Sequence, residues 1–203
     1  MSTQILESVI YRPKAGVDPA LTLAKVESVL DPFLRAQPGM ERAWRGRTED
    51  GAFMDAVLWK DEAAFRAAVQ AERAHPGLGP VFALFEEASL VMRHGRVFEG
   101  EAQAHGGPIL DCIVYRPKDS VGAELALAGL RRELDPFLRA QPGLEGAWRG
   151  ACPDGSFVAT VLWKDEASFR AFEAASRQRP GIGQAFGNFD EASLVVKHSR
   201  IFD

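Results

Sequence analysis

The sequence predicts an α+β fold made of two tandem ferredoxin-like β-α-β-β-α-β repeats. A seven-residue stretch, Val57–Ala63 (VLWKDEA), returns unchanged as Val161–Ala167. The same offset aligns Ile5–Glu99 with Ile109–Asp203 without a gap, and about 55% of the aligned positions are identical, as expected for a duplicated unit. Strand-like and helix-like segments also follow the same order in both copies.

Length and composition agree with this organisation. The chain of 203 residues divides into two units near the lower end of domain size, and its formal charge of −4 with 46% hydrophobic residues is typical of a soluble protein. We predict no nucleic-acid binding, because the sequence has neither a basic patch nor an RNA-binding aromatic motif. It also has no apolar run near the roughly 18 residues of a membrane span and no signal peptide, so we expect a cytoplasmic protein.

The first half of each repeat is predicted as a strand, a helix and a second strand. Ile5–Arg12 is rich in β-branched and aromatic residues and stops before a proline, which is typical of a strand. Asp18 followed by Pro19 predicts a helix start. A proline inside this helix, at Asp31-Pro32, predicts a kink or a new helix capped by the aspartate. Met40–Arg47 is the second predicted strand.

The second half is predicted as a hairpin, a helix and a last strand. An Asp-Gly turn leads into a third strand, Phe53–Trp59. Asp61 caps a helix that runs to about Ala74, and a short amphipathic segment with Phe82 and Phe85 follows. The fourth strand is Ser89–Phe98. This element order places both helices on one face of an antiparallel sheet.

The first strand is apolar on both faces, which indicates that both faces of the sheet are covered. Helices cover one face, so the other face should meet the sheet of the second repeat and form an eight-stranded, pseudo-dimeric α/β barrel within one chain. We therefore predict repeat 1 at residues 4–99, a polar linker at 100–108 and repeat 2 at 109–203. Cys112 and Cys152 align with Ser8 and Thr48, so they are predicted to be independent reduced thiols without a metal.

The chain resembles the dimeric α/β-barrel superfamily, in particular its antibiotic-biosynthesis monooxygenase branch. The resemblance rests on the element order, on the Pro-Gly before the second strand (Pro38-Gly39 and Pro142-Gly143) and on a third strand that ends in Trp-Lys-Asp-Glu-Ala before a helix carrying phenylalanine. It covers both repeats. It implies one pocket between sheet and helices in each repeat. It also implies a choice between a cofactor-independent monooxygenase for small hydroxyaromatic or polyketide-like substrates and a non-catalytic binding or structural module.

Four residues are the catalytic candidates. His94 and His198 lie in the fourth strands on a largely apolar face, and an imidazole titrates near neutrality and can act as a general base. Glu7 and Asp111 on the neighbouring first strands are their candidate partners. The resemblance adds Tyr11 and Tyr115 as groups that bind and help deprotonate a hydroxyaromatic. A structural histidine and a half-buried tyrosine remain the alternatives.

The substrate-binding candidates are aromatic residues and arginines of the sheet and of the segment after the second helix. An arginine that points into a pocket could orient a carboxylate or phenolate, whereas an aromatic residue at a strand end is also a core filler. We predict small apolar or aromatic ligands, no cofactor, and a pseudo-dimer within the chain, and leave higher oligomers open. The candidates are Trp59, Trp163, Trp44, Trp148, Arg45, Arg149, Phe82 and Phe186.

Two further expectations concern haem and asymmetry. The haem-degrading branch would need an asparagine on the first strand and a haem-ligating histidine on the second helix. The chain has Ser8 and Cys112 on the first strands, and His75 lies too far along the helix. The differences between the repeats leave room for one active and one structural half, with a wetter pocket expected beside Asn188. They are Leu84/Asn188, Ala68/Phe172, Asp55/Ala159 and His75/Arg179.

Overall fold

Eight antiparallel strands close into a barrel in the computed structural model, which describes residues 3–102 and 108–202. The strands follow each other around the barrel in the order β1-β3-β2-β8-β5-β7-β6-β4, so each repeat contributes four neighbouring strands. This confirms the predicted pseudo-dimeric barrel. The strands are β1 Ile5–Tyr11, β2 Met40–Thr48, β3 Phe53–Trp59, β4 Val91–Ala102, β5 Ile109–Tyr115, β6 Leu144–Ala151, β7 Phe157–Trp163 and β8 Val195–Ile201.

Helices cover the outer face of the barrel in each repeat. In both repeats one helical layer follows the first strand and another follows the third, as predicted. None of the helices in the described ranges is long and apolar enough to cross a bilayer. The helices are α1 Pro19–Lys25, α2 Asp31–Arg35, α3 Glu62–Ala74, α4 Leu78–Phe82, α5 Ala123–Glu133, α6 Asp135–Arg139, α7 Glu166–Arg177 and α8 Pro180–Phe186.

Local sequence signals explain where most helices begin. The carboxylate of Asp18 accepts a hydrogen bond from the amide of Ala20, with Pro19 in the first turn, and Asp61 accepts one from Ala64. The chain stays helical through Pro32, because a π-helical turn over Val26–Leu30 joins α1 to α2 and accommodates the proline. The side chain of Asp31 caps no helix. It forms an ion pair with Arg45 instead.

Side chains alternate between the inside of the barrel and its helix-covered face. Leu6 and Ile10 of β1 point inward into a core shared by both repeats. Val9 and Tyr11 of the same strand pack instead on the helices of repeat 1. Cys112 is a buried free thiol in the shared core. The helix-covered face is the one on which the family resemblance implies ligand pockets.

Two seams of different length join the repeats. β4 pairs with β6 from Arg96–Ala151 to Ala102–Gly146, so the strand continues into the segment predicted as a linker. Residues 103–107 of that segment lie outside the described residues. β8 pairs with β2 over Gly46–Thr48, and the amide of Phe202 extends this seam with a hydrogen bond to the carbonyl of Arg45. The outer edges of β2 and β6 are therefore covered to different extents.

Candidate functional site

A cavity of about 70 Å³ lies between the sheet and the helices of repeat 1. Its walls are mostly aliphatic and aromatic, and the polar groups on them are three carboxyl groups and one phenol. The residues that line it include no lysine, arginine or histidine. The polar lining is Glu7, Tyr11, Asp55 and Glu72, and the apolar lining includes Leu34, Val57, Trp59, Ala68, Phe82, Phe85 and Met92.

Glu7 is the carboxylate that β1 directs towards the α3 side of this cavity. The indole Nε1 of the fully buried Trp59 donates a hydrogen bond of 3.0 Å to Glu7 Oε2. Burial raises the pKa of Glu7 to about 7, although the Trp59 hydrogen bond lowers it, and the nearby charges of Glu72 and Asp55 raise it further. A carboxylate with a pKa near neutrality can accept a proton and release it again at physiological pH.

Glu72 on α3 is the second carboxyl group on this side of the cavity. Burial raises its pKa, and the neighbouring Arg73 offsets part of that effect. The equivalent position in repeat 2 is Ser176. The cavity of repeat 1 therefore combines two carboxyl groups whose pKa values are both raised, a condition typical of sites that move protons.

Repeat 2 pairs the corresponding carboxylate with a histidine, although burial raises the pKa of this carboxylate too. Asp111, at the position of Glu7, accepts a hydrogen bond of 2.8 Å from Trp163 Nε1 and lies 2.7 Å from His198 Nδ1. The other ring nitrogen of His198 lies 3.1 Å from Glu166 Oε2. The imidazole ring stacks on the ring of Phe169, with the two ring centroids 3.7 Å apart. Burial by itself lowers the pKa of His198, but the hydrogen bonds and charges of the two carboxylates raise it above its ordinary value. The predicted pairing of His198 with Asp111 is thus formed.

His94 does not make the corresponding contact with Glu7. Its ring packs on Phe65 at 4.6 Å, and burial lowers its pKa, although the charge of Glu62 opposes this effect. Within the described chain, Glu7 bonds to Trp59 instead of His94. The two histidines that the sequence treats as equivalents therefore differ in their contacts and in the direction of their pKa shifts, and the general-base role predicted for each of them stays a prediction.

The same space is filled in repeat 2. Phe172 of α7 packs against Trp163 at 4.8 Å and stacks on Phe137 at 5.6 Å. Its counterpart Ala68 lines the cavity of repeat 1. The large ring at position 172 thus takes up space that alanine leaves open in repeat 1, and the wetter pocket expected beside Asn188 stays a prediction.

The tyrosines lie beside buried ion-pair clusters. Arg45 makes a two-pronged contact with Asp55 (2.7 and 2.9 Å) and also binds Asp31, and Tyr11 Oη donates to Asp55 Oδ2 over 3.4 Å. Burial holds the pKa of Tyr11 well above its ordinary value. This phenol is a hydrogen-bond donor at neutral pH and a poor source of phenolate.

Repeat 2 builds its cluster with a different carboxylate. Arg149 binds Asp135 at 2.8 Å and Glu99 at 2.6 Å, and Glu99 comes from β4 of the other repeat. Burial also raises the pKa of Tyr115. Both arginines are thus occupied by carboxylates of the protein, and the role predicted for them in orienting an acidic ligand stays a prediction.

The remaining binding candidates fall in three places. Trp44 and Trp148 point into the barrel, where their rings lie 5.1 Å apart. Phe82 lines the cavity of repeat 1, and Phe186 packs in the helix-covered core of repeat 2. Trp163, like Trp59, is fully buried at the end of its strand. Of the predicted site residues, the structure brings Trp59, Tyr11 and Phe82 together around one cavity.

The residues that the haem branch would use do not converge on this cavity. Ser8 points into the barrel core, on the opposite face of β1 from Glu7. His75 ends α3, where its Nδ1 accepts a hydrogen bond from the amide of Gly77 and its ring packs edge-on against Phe33. These positions do not fit haem ligation at the cavity.

Comparisons with known proteins identify the fold. No family model matches the chain, and no curated protein does. Solved structures that cover all of this chain include a proposed monooxygenase from Fusobacterium nucleatum (TM-score 0.73, 11% identity, 94% of that chain) and an anthrone oxidase-like protein (TM-score 0.72, 13% identity, 92% of that chain). A ferredoxin-fold protein from Listeria monocytogenes related to antibiotic biosynthesis monooxygenases also matches (TM-score 0.60, 10% identity, 96% of that chain). The chain therefore has the dimeric α/β-barrel fold.

Proposed function

We propose that repeat 1 is the active half and that it acts as a cofactor-independent monooxygenase in which Glu7 abstracts a proton from a small hydroxyaromatic or polyketide-like substrate. The observation that carries this proposal is a carboxylate with no cationic side chain among the residues that line its cavity. Glu7 faces a cavity without a cationic partner, whereas Asp111 at the same position of repeat 2 lies 2.7 Å from His198. The family of folds to which the barrel belongs supplies the reaction class.

The surroundings of Glu7 suit proton abstraction. Its pKa of about 7 lets it accept a proton from a weakly acidic substrate at neutral pH and return it to solvent. Trp59 fixes the carboxylate with its indole N–H. The phenol of Tyr11 donates its single O–H to Asp55 over a long 3.4 Å, and it can turn this O–H towards an enolate or phenolate oxygen as negative charge develops there.

The oxidation balances with molecular oxygen as the only oxidant. Glu7 takes a proton from an activated CH₂ group, and the carbanion transfers its electrons to O₂ and combines with it. The resulting hydroperoxide, after protonation, loses water and leaves a carbonyl group. The sum is CH₂ plus O₂ giving C=O plus H₂O, and Glu7 ends the cycle ready to bind a proton again.

Oxygen uptake with a panel of anthrones, which carry the activated CH₂ group that the reaction needs, tests the proposal. We expect Glu7→Gln to lower the rate by about 10²-fold or more, the range of general-base catalysis. Asp111→Asn is the matched substitution in repeat 2 and should leave the rate within a small factor of the wild type, once circular dichroism shows that the variant is folded. Unchanged uptake by folded Glu7→Gln, or no uptake by the wild type with any member of the panel, would contradict the proposal.

A further inference from the structure

Glu7 and His94 are direct neighbours across the β1–β4 pair. The antiparallel register places their Cα atoms opposite each other, as it does those of Asp111 and His198 in repeat 2. Residues in this relation project from the same face of the sheet, with their Cβ atoms about 4.5–5.5 Å apart. In repeat 2 the register yields the 2.7 Å contact between Asp111 Oδ1 and His198 Nδ1. The backbone of repeat 1 therefore permits the same contact between Glu7 and His94.

Glu7 has a carboxylate oxygen available for that contact. Asp111 uses both of its oxygens, since Oδ2 accepts a hydrogen bond from Trp163 and Oδ1 faces His198. Glu7 uses Oε2 for the indole of Trp59, and no donor among the described residues bonds to its Oε1. Glu7 can therefore accept one further hydrogen bond at the position that an imidazole takes in repeat 2.

The ring of His94 is held less firmly than the ring of His198. His198 lies between two carboxylates, because Glu166 Oε2 is 3.1 Å from its second ring nitrogen. The equivalent Glu62 does not bind His94, since arginines occupy both of its oxygens. Within the described ranges no group hydrogen-bonds to the His94 ring, which is held by packing on a phenylalanine. This ring can therefore turn without breaking a hydrogen bond.

His94 also lines a groove at the seam between β4 and β6. This seam groove has a volume of about 550 Å³, and its lining includes Phe65, His94, Arg96 and residues 151–153. The side chain of Arg96 is 69% exposed, so the groove opens to solvent. Glu7 is not among the residues that line it. His94 thus has the buried carboxylate on one side and water on the other.

The charges around His94 leave its ring largely neutral at pH 7. Burial lowers the pKa of His94. The charge of Glu62 on α3 raises it, that of Arg66 on the same helix lowers it, and that of Asp154 in the β6–β7 turn raises it, with a lowered pKa as the net result. The guanidinium of Arg96 lies in the same groove. A neutral imidazole is able to accept a proton.

We infer that His94 carries the proton between Glu7 and the seam groove. This role rests on the proposed function, in which Glu7 must lose its proton after each abstraction although no histidine, lysine or arginine lines its cavity. The ring turns towards Glu7, and Nδ1 accepts the proton as the carboxyl O–H bond breaks. The imidazolium returns to the groove, where the same N–H bond breaks and water takes the proton. Water supplies a proton to the peroxide, so the sum of the reaction is unchanged.

Titration of the histidine rings by NMR tests the pairing without any substrate. His94→Gln assigns the signals of His94. Two groups that exchange a proton titrate as a coupled pair, so the wild-type ring should protonate in two steps. Glu7→Gln should remove the upper step, which should lie about one pH unit above the remaining one, the effect of one adjacent carboxylate. His198 is the control in the same spectra, and its curve should not change in Glu7→Gln.

Oxygen uptake with the anthrone panel tests the transfer. His94→Gln should lower kcat about tenfold, less than the loss of a direct general base, because water still takes the proton slowly. KM should not change, since His94 acts through Glu7 and does not touch the substrate. Added imidazole should restore the rate of His94→Ala, because the seam groove admits a free imidazole. His75→Gln, outside the cavity and the groove, should match the wild type.

The two measurements separate the relay from the proposed function. A single His94 step with the same midpoint in the wild type and Glu7→Gln would overturn the relay, and so would an unchanged kcat in folded His94→Gln. Two-step titration without oxygen uptake by the wild type would uphold the pairing and contradict the monooxygenase. Uptake that Glu7→Gln abolishes and His94→Gln leaves intact would uphold the base and overturn the relay.

Discussion

Replacing Glu7 by glutamine should change how the stability of the protein depends on pH. Glutamine keeps the size of the side chain and can accept the hydrogen bond from Trp59 Nε1 through its amide oxygen. It cannot bind or release a proton between pH 4 and 8. The variant therefore isolates the free energy associated with titrating one carboxyl group beside the cavity.

The magnitude follows from the raised pKa of Glu7, from 4.5 to about 7. Because the folded state holds this proton more tightly than the unfolded state, the stabilisation from Glu7 is full below pH 4.5 and is lost as the pH rises through about 7. At 1.36 kcal/mol per pH unit, the loss is at most about 3 kcal/mol. The free energy of unfolding of Glu7→Gln, relative to the wild type, should rise by up to that amount between pH 4.5 and 7.5.

Urea denaturation at four pH values across this range measures the difference directly. Glu124→Gln, at an exposed carboxylate of α5, controls for the chemical change, since a substitution at a solvated surface position changes the free energy of unfolding little. The slopes of the urea transitions should match among the three proteins. If the difference between Glu7→Gln and the wild type stays constant within about 0.5 kcal/mol, as for a surface substitution, Glu7 titrates as an ordinary glutamate and the reasoning fails.

Three further outcomes follow from neighbouring contacts. Trp59→Phe removes the N–H that lowers the pKa of Glu7, so the midpoint of the same pH dependence should move up by about one unit, the effect of one hydrogen bond to a charged group. His198→Gln should destabilise the protein more at pH 5.5 than at pH 9 in urea titrations. Because the folded state raises the pKa of His198, the stabilisation from its protonated ring is present below pH 6.5 and is lost as the pH rises above the folded-state pKa. His94→Gln should show the opposite trend, because the folded state lowers the pKa of His94. Phe172→Ala should cost about 1–3 kcal/mol of unfolding free energy, below the range for a fully buried phenylalanine, because this half-buried ring packs against Trp163 and Phe137.

The fold could be predicted because its signals are local and occur twice. The repeated heptapeptide places a strand, an N-cap and a helix in each half, and Asp61 caps α3 as expected. The apolar pattern of β1 indicates two covered faces, and the closed barrel supplies both. The π-helical turn at Val26–Leu30 could not be predicted. A proline in a helical segment indicates a kink or a helix end, but it does not indicate which local geometry lets the helix continue.

The candidate site was harder to predict because it depends on differences between nearly identical halves. The sequence pairs Glu7 with Asp111 as like residues, yet Glu7 bonds to Trp59, whereas Asp111 bonds to Trp163 and also has an imidazole nitrogen of His198 at 2.7 Å. Glu72 has no distinguishing local pattern. The exchange of Ala68 for Phe172 was visible in the sequence, but which repeat it opens depends on the packing around Trp59 and Trp163.

Duplication within one chain makes such a site easier to tolerate. In a symmetric homodimer every substitution appears twice, so a carboxylate that costs about 3 kcal/mol at neutral pH would cost about 6 in total. That sum approaches the whole stability of many domains, which is about 5–15 kcal/mol. In this chain Glu7 occurs once, while in the other half Asp111 has His198 at 2.7 Å and Phe172 packs against Trp163. Because both halves share the barrel core, the packed half stabilises the half that holds the cavity.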